Sequence, residues 1–158
     1  MRPDHPVAKA VQRMAGSPRF VPIGRRFAPA TDRIVHRLTG GRWTATELVL
    51  PVAILTTTGA RSGLPRTVTL ATAPIDQDLY VVGSNFGQEH HPAWSANLLA
   101  HPDATVEFRR RTYPVTAHLL DADEKDEIWP RLTAMWPPFD EYASRSGRDL
   151  RVFRLSPA

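Results

Sequence analysis

The chain has 158 residues, of which 42% are hydrophobic, enough for one domain with a buried core. It has no cysteine, which excludes disulfides and thiolate metal sites, and its 15 prolines argue against a bundle of long helices. The net charge of +4 favours an anionic partner. Aromatic residues do not interleave with the basic ones as in single-strand binders, so we expect no nucleic acid partner.

The first 25 residues predict a basic segment, followed by one domain over residues 26–158. Residues 6–14 have the spacing of a short amphipathic helix. This segment is either mobile or helical, and it is a candidate for contact with the domain, a partner subunit or a membrane surface. It lacks the apolar core of a secretory signal, and no apolar run is long enough to span a bilayer. We therefore expect a cytoplasmic protein, with peripheral membrane contact left open.

Helical spacing predicts a first helix over residues 29–39, which Gly40 and Gly41 end. Six segments then have apolar or alternating patterns typical of strands: Leu48–Leu55, Arg66–Ala73, Leu79–Val82, Thr105–Phe108, Tyr113–Leu120 and Leu150–Leu155. Their short connections favour antiparallel pairing, and short antiparallel strands avoid open edges by forming a closed or split barrel. There is no G-x-G-x-x-G motif, which argues against a dinucleotide-binding βαβ domain.

Three further helices are predicted between and after these strands. The first begins at Pro92 and ends near His101. The second opens with a capping box of Asp121 and Glu124 and runs to about Met135, distorted at its middle by a proline. A pair of prolines then separates it from a short turn or helix that carries two aromatic residues, Phe139 and Tyr142.

The segment over residues 56–66 is rich in small residues and charge. Gly59 and Gly63 permit a sharp turn, and successive exposed N–H groups in such a turn form a concave anion site. Arg61 and Arg66 add positive charge suited to phosphate or carboxylate. The segment therefore predicts a loop that binds the anionic tail of a cofactor. The alternative is an ordinary hairpin loop with solvated arginines.

These residues resemble the cofactor loop of the deazaflavin-dependent nitroreductase family, and the resemblance covers about residues 30–157. Four spaced elements carry it: Leu55–Arg66; Gly40-Gly41-Arg42; Gly83-Ser84-Asn85 with His91-Pro92-Ala93-Trp94 and Asn97–Pro102; and Trp129-Pro130 with Met135-Trp136-Pro137 and Tyr142. It implies an α+β fold, a six-stranded antiparallel split β-barrel of the FMN-binding type with flanking helices. By analogy with other split barrels, we also expect a homodimer.

The resemblance further implies coenzyme F420, an 8-hydroxy-5-deazaflavin with a phosphate and oligoglutamate tail. The reduced coenzyme would deliver a hydride to a small hydrophobic acceptor, a quinone, an enone or a nitro-aromatic compound. The implied cofactor-binding residues are Ala60, Arg61, Ser62, Arg66, Thr67, Val68, Val82, Gly83, Ser84, Asn85, Ala93, Trp94, Ser95, Ala96, Asn97 and Phe139. Ser84 and Tyr142 would orient the acceptor, and no metal is expected.

Several alternatives remain open. Ala60 stands where many relatives have arginine, so we expect one contact to the coenzyme tail to be missing. Ala71, Trp136 and Phe139 stand where nitro-reducing relatives can have tyrosine, which argues against nitroimidazole reduction. FMN is a less favoured cofactor, and a protein that binds F420 without turnover is a third hypothesis. Trp94 is either core or a wall for the ligand. The Arg109–Arg111 run is most simply a solvated turn.

Overall fold

The computed structural model describes residues 50–158, so the predicted basic segment, its boundary and the helix over residues 29–39 lie outside the described residues. The described chain contains three α-helices and a seven-stranded sheet. The strands are β1 (Val52–Thr58), β2 (Pro65–Ala71), β3 (Ala73–Ile75), β4 (Asp78–Val82), β5 (Asp103–Phe108), β6 (Arg111–Leu119) and β7 (Val152–Pro157). The helices are α1 (Ala93–Ala100), α2 (Ala122–Met135) and α3 (Pro138–Ser146).

All strand pairs are antiparallel, in the order β2-β1-β5-β6-β7-β4-β3. The two edge strands, β2 and β3, are consecutive in the chain and are joined by Thr72 alone. Because neighbouring Cα atoms are about 3.8 Å apart, the two edges lie within about 7 Å of each other at this point. The sheet must therefore curl into a half-barrel, as the prediction of an antiparallel barrel-like fold requires.

The predicted number of six strands is wrong, because the segment expected to form one strand over Arg66–Ala73 is broken at Thr72. The Thr72 N–H donates to the Pro51 carbonyl on the β1 side (2.9 Å), and its hydroxyl donates to the Tyr80 carbonyl on β4 (3.2 Å). Its side chain is only 1% exposed. Thr72 thus bonds to both edges of the sheet, and alternation alone does not reveal such a corner.

The interior of the half-barrel is apolar and is closed at one end by α1. Leu55 and Val106 are fully buried on β1 and β5, and Phe153 on β7 is 1% exposed. Trp94 of α1 packs on Phe153 edge-to-face, with ring centroids 5.8 Å apart. A second cluster lies beneath α2 and α3 and includes Leu132, Phe139, Tyr142 and Val152.

The predicted helix boundaries follow from local chemistry. Asp121 and Glu124 form the predicted capping box, in which each side chain accepts from the other residue's N–H group (2.9 and 3.1 Å). The helix α2 continues through Pro130 to Met135.

Arg109 and Arg110 form the exposed two-residue turn between β5 and β6, both with positive φ. No helix within residues 50–158 is long and apolar enough to cross a bilayer.

The corner at Thr72 generates a stability prediction. Thr72→Val keeps the shape of the side chain but removes the buried hydroxyl that donates to Tyr80. We expect the free energy of unfolding in urea to fall by about 1–2 kcal/mol, the usual effect of losing one buried hydrogen bond. Thr69→Val on exposed β2 is the matched control and should change stability by less than about 0.5 kcal/mol. Equal effects of the two substitutions would show that the buried Thr72 hydroxyl contributes no more to stability than the hydroxyl of an exposed threonine.

Candidate functional site

A cleft of about 660 Å³ lies between the β1–β2 hairpin and the first turns of α1. This volume is within the range of small-molecule sites, roughly 300–1,000 Å³. The described residues that line it are Gly59, Ala60, Arg61, Ser62, Arg66, Thr67, Val68, Ala93, Trp94, Ala96 and Asn97. Ten of these eleven residues are among the predicted cofactor-binding residues, and the structure brings them together around one space.

The hairpin loop over residues 59–64 is closed by its own backbone. The Gly59 N–H donates to the Leu64 carbonyl (2.9 Å), and the Gly63 N–H donates to the Gly59 carbonyl (2.8 Å). Gly63 has a φ of +64°, which glycine adopts without strain. A Cβ atom at Gly59 would lie 2.5 Å from the Ser62 hydroxyl oxygen. Gly63 is therefore favoured by its positive φ, and a side chain at Gly59 would displace the Ser62 hydroxyl.

Asn97 on α1 holds this loop against the helix. Its side-chain oxygen accepts from the Ala60 N–H (2.9 Å), and its side-chain nitrogen donates to the Thr57 hydroxyl (3.0 Å). The Thr57 hydroxyl in turn donates to the Arg66 carbonyl (3.3 Å). Asn97 is 8% exposed, and its amide uses its oxygen and nitrogen within the protein. Asn97 lines the cleft, as predicted, but its amide positions the loop.

The cleft is electropositive. Arg61 and Arg66 are exposed, and within the described chain neither makes an ion pair. The backbone N–H groups of Arg61 and Ser62 also have no hydrogen-bond partner among residues 50–158. None of the described lining residues is acidic, and α1 directs the positive end of its dipole at the same space. The arrangement suits a phosphate or carboxylate group.

One wall of the cleft is apolar. Val68 on β2 is half-buried, and Trp94 is 7% exposed. Trp94 therefore meets both alternatives from the sequence, because it packs in the core against Phe153 and also lines the cleft. Together with the cationic loop, this wall gives the cleft one charged region and one apolar region, as an amphipathic ligand requires.

The remaining predicted residues do not line this cleft. Gly83 lies against β7, where its N–H donates to the Arg151 carbonyl (2.8 Å). Ser95 is fully buried, and its hydroxyl donates to the Pro92 carbonyl (2.8 Å) and accepts from Arg151 (3.3 Å). Val82, Ser84 and Asn85 lie at the end of β4 or just beyond it. Their predicted contact with the cofactor stays a prediction.

Phe139, predicted to contact the cofactor, and Tyr142, predicted to orient the acceptor, are both 4% exposed and pack in the second apolar cluster. Burial raises the pKa of the Tyr142 hydroxyl, and the Arg145 charge and a hydrogen bond from Trp136 offset this in part. The hydroxyl therefore stays protonated at neutral pH. Its predicted role in orienting the acceptor stays a prediction.

Arg148 was missed by sequence reasoning, because it follows a helix end with no motif around it. Its Nε donates to the Gln88 carbonyl (3.0 Å), and its Nη2 donates to the carbonyls of Gly83 (2.9 Å) and Ser84 (3.1 Å). Its Nη1 lies 2.9 Å from Nδ1 of His91. Arg148 thus joins the start and the end of the loop between β4 and α1.

Comparison with known proteins identifies the family of this chain. The sequence model of the F420H(2)-dependent quinone reductase family matches residues 28–157. The chain belongs to this family. The predicted resemblance to F420-dependent reductases is thereby confirmed, and with it an oxidoreductase that uses coenzyme F420.

Individual relatives of the chain support the same family assignment. The F420H(2)-dependent quinone reductase Rv1261c of Mycobacterium tuberculosis is 31% identical over 134 residues, 82% of this chain and 84% of that protein. A solved F420-H2 dependent reductase, FDR-A, is 32% identical, with a TM-score of 0.62 over 67% of this chain and 94% of that chain. A solved structure described as a domain-swapped dimer is 31% identical, with a TM-score of 0.63 over 81% and 95% of the two chains.

The contact between Arg148 and His91 predicts a pH dependence of stability. Burial, followed by the charges of Arg151 and Arg148, lowers the pKa of His91 below its ordinary value of 6.5. As the pH falls below 6.5, the unfolded chain takes up this proton before the folded chain, so folded stability is lost. We expect the urea midpoint to fall between about pH 7.5 and about pH 5.5, and to fall less in His91→Asn.

Asparagine at position 91 still offers an oxygen that accepts from Arg148 but does not titrate. His101→Asn, which replaces an exposed histidine just after α1, is the matched control for the loss of one histidine. If His91→Asn retains the full acid sensitivity of the natural protein, protonation of His91 does not limit its stability.

Proposed function

We propose that the cleft binds the phosphate and glutamate tail of coenzyme F420, with the deazaflavin ring against the apolar wall. The acceptor is then a small hydrophobic quinone, or a related enone or nitro-aromatic compound. The observation that carries this proposal is the meeting, in one cleft, of a helix N-terminus with two arginines and backbone N–H groups that have no partner among residues 50–158. These groups fit an elongated anion with an apolar head.

Reduced F420, when bound, would supply a hydride, and a quinone that takes up this hydride and one proton would become the hydroquinone. The protein binds and orients the two partners and limits access of water. Arg61 and Arg66 are placed to bind the carboxylates and phosphate through their planar guanidinium groups. Val68 and Trp94 offer a flat apolar surface, and the close packing of Trp94 on Phe153 holds that surface in place.

Ser84 is proposed to orient the oxygen of the acceptor. The Nη2 group of Arg148 donates to the backbone carbonyl of Ser84 (3.1 Å), which keeps Ser84 near the end of β4. Within residues 50–158 the Ser84 hydroxyl has no hydrogen-bond partner, so it is available to donate to a ligand. Tyr142 remains a second candidate, since its protonated hydroxyl is a competent donor once α3 or its neighbours expose it.

The extent and assembly of the functional unit are part of the proposal. The family match over residues 28–157 supports one catalytic domain over residues 26–158, with the first 25 residues outside it. The solved relative described as a domain-swapped dimer supports a homodimer of this chain. Sedimentation of the natural protein would measure its assembly directly.

Removal of either cleft arginine should weaken coenzyme binding. We expect Arg61→Ala and Arg66→Ala each to reduce the affinity for oxidised F420 by about 1–3 kcal/mol, the scale of hydrogen bonds to charged groups. The measurement is a titration that follows the fluorescence of the coenzyme, at low and at high salt. The losses should be larger at low salt, because screening weakens the contribution of exposed charges.

Arg110→Ala is the matched control, because Arg110 is an exposed arginine in the β5–β6 turn and does not line the cleft. It should leave the affinity for F420 unchanged. If Arg61→Ala and Arg66→Ala bind F420 as tightly as the natural protein, the cleft is not the site of the anionic tail. If the purified protein instead binds FMN and not F420, the proposed cofactor assignment is contradicted.

A further inference from the structure

The loop between β4 and α1 contains three consecutive residues in the left-handed conformation. Asn85, Phe86 and Gly87 have φ values of 47°, 54° and 72°. Glycine adopts this conformation freely and asparagine tolerates it, but a bulky aromatic residue is a genuine outlier there. Such strained positions persist only where the surrounding structure determines them, and they cluster at functional sites. Phe86 therefore requires an explanation.

The surrounding contacts determine this conformation fully. Arg145 of α3 donates to the Phe86 carbonyl (2.7 Å), and its guanidinium packs so closely on Gly87 that a Cβ atom there would lie 2.9 Å from its nitrogens. The Asn85 side chain donates to the His90 carbonyl (3.1 Å). Arg148 joins both ends of the loop through the carbonyls of Ser84 and Gln88. These contacts hold the loop at both ends and at the Phe86 carbonyl.

The ring that this conformation presents is exposed. Phe86 is 44% exposed, although its edge contacts Tyr142, with ring centroids 6.3 Å apart. Tyr142 itself is only 4% exposed and lies beneath Arg145, whose guanidinium is 5.4 Å from the centre of its ring. Of the two aromatic rings in contact here, Phe86 is the one that a ligand can reach.

The base of the loop lies next to residues that line the cleft. The loop begins at Gly83, where a Cβ atom would lie 3.6 Å from the ring of Pro92, and Pro92 is the residue that precedes α1. The next two residues, Ala93 and Trp94, line the cleft. The two ends of the loop thus meet beside the N-terminus of α1, and Phe86 stands on the loop between them.

We propose that Phe86 binds the apolar ring of the hydride acceptor at the rim of the cleft. The matching ligand is a planar, uncharged aromatic ring system, which packs on an exposed phenyl ring by stacking or edge contact. This proposal rests on the proposed function for the identity of the acceptor. The acceptor's apolar ring would then lie beside the loop between β4 and α1, and the coenzyme's anionic tail beside the β1–β2 hairpin.

Two substitutions test it. Phe86→Gly removes the ring and suits the left-handed backbone, so the urea midpoint should not fall. Phe86→Tyr keeps the ring and is the matched control. The probes are menadione, which has a two-ring apolar body, and p-benzoquinone, which has one small ring. We expect Phe86→Gly to raise the KM for menadione about tenfold with little change in kcat, and to change the KM for p-benzoquinone much less.

Direct binding provides a readout that is independent of turnover. In equilibrium dialysis, Phe86→Gly should bind menadione about tenfold more weakly than the natural protein, Phe86→Tyr should bind it equally well, and all three should bind F420 equally. Unchanged menadione binding and KM in Phe86→Gly would overturn the proposal. An equal change for both quinones would also overturn it, since that pattern indicates general disruption of the site.

Failure of the proposed function gives a different pattern. If the natural protein does not bind F420, the cofactor assignment fails, and dialysis of menadione against the coenzyme-free protein still decides whether Phe86 binds the ring. If the natural protein binds F420 and reduces menadione while Phe86→Gly behaves identically, only the role of Phe86 is rejected.

Discussion

The site depends on the contact between Asn97 and the hairpin loop. One amide binds both the Ala60 N–H and the Thr57 hydroxyl, and so couples the first sheet hairpin to α1. Asn97 is nearly buried, so each of these groups would be left without a partner if the loop moved away. The backbone that carries Arg61 and Arg66 is therefore held against α1. A binding site that is ordered in advance loses less entropy when a charged, flexible tail binds.

The family resemblance named most of the residues that line the cleft, and local sequence reasoning located the hairpin loop and the ends of α1 and α2. The loop and the helix ends depend on local chemistry that can be read in a single segment. Gly59 and Gly63 are needed for a short loop, and Asp121 and Glu124 satisfy free N–H groups at a helix start. The family resemblance added the coenzyme, which no arrangement of these residues specifies without it.

The missed features are long-range. Thr72 occupies an alternating pattern that looks continuous, and only the closure of the sheet makes it a corner. Arg148 contacts residues about sixty positions earlier in the chain, and no local spacing marks such a partner. Phe86 directly follows the Gly83-Ser84-Asn85 motif, but Arg145 of α3, which donates to the Phe86 carbonyl, holds its left-handed backbone. The cleft could thus be predicted from the sequence, whereas the contacts that hold its surroundings could not.

The most direct test of the central claim compares two ligands in one variant. Asn97→Ala removes the hydrogen bonds that hold the loop to α1 but does not change Arg61 or Arg66 themselves. Titration of a folded Asn97→Ala protein with F420, and with the same deazaflavin lacking its phosphate and glutamates, measures what the fixed loop contributes to binding of the tail. We expect a loss of about tenfold or more for F420 and little change for the tail-less compound. An equal loss for both ligands would contradict the assignment of the loop to the anionic tail.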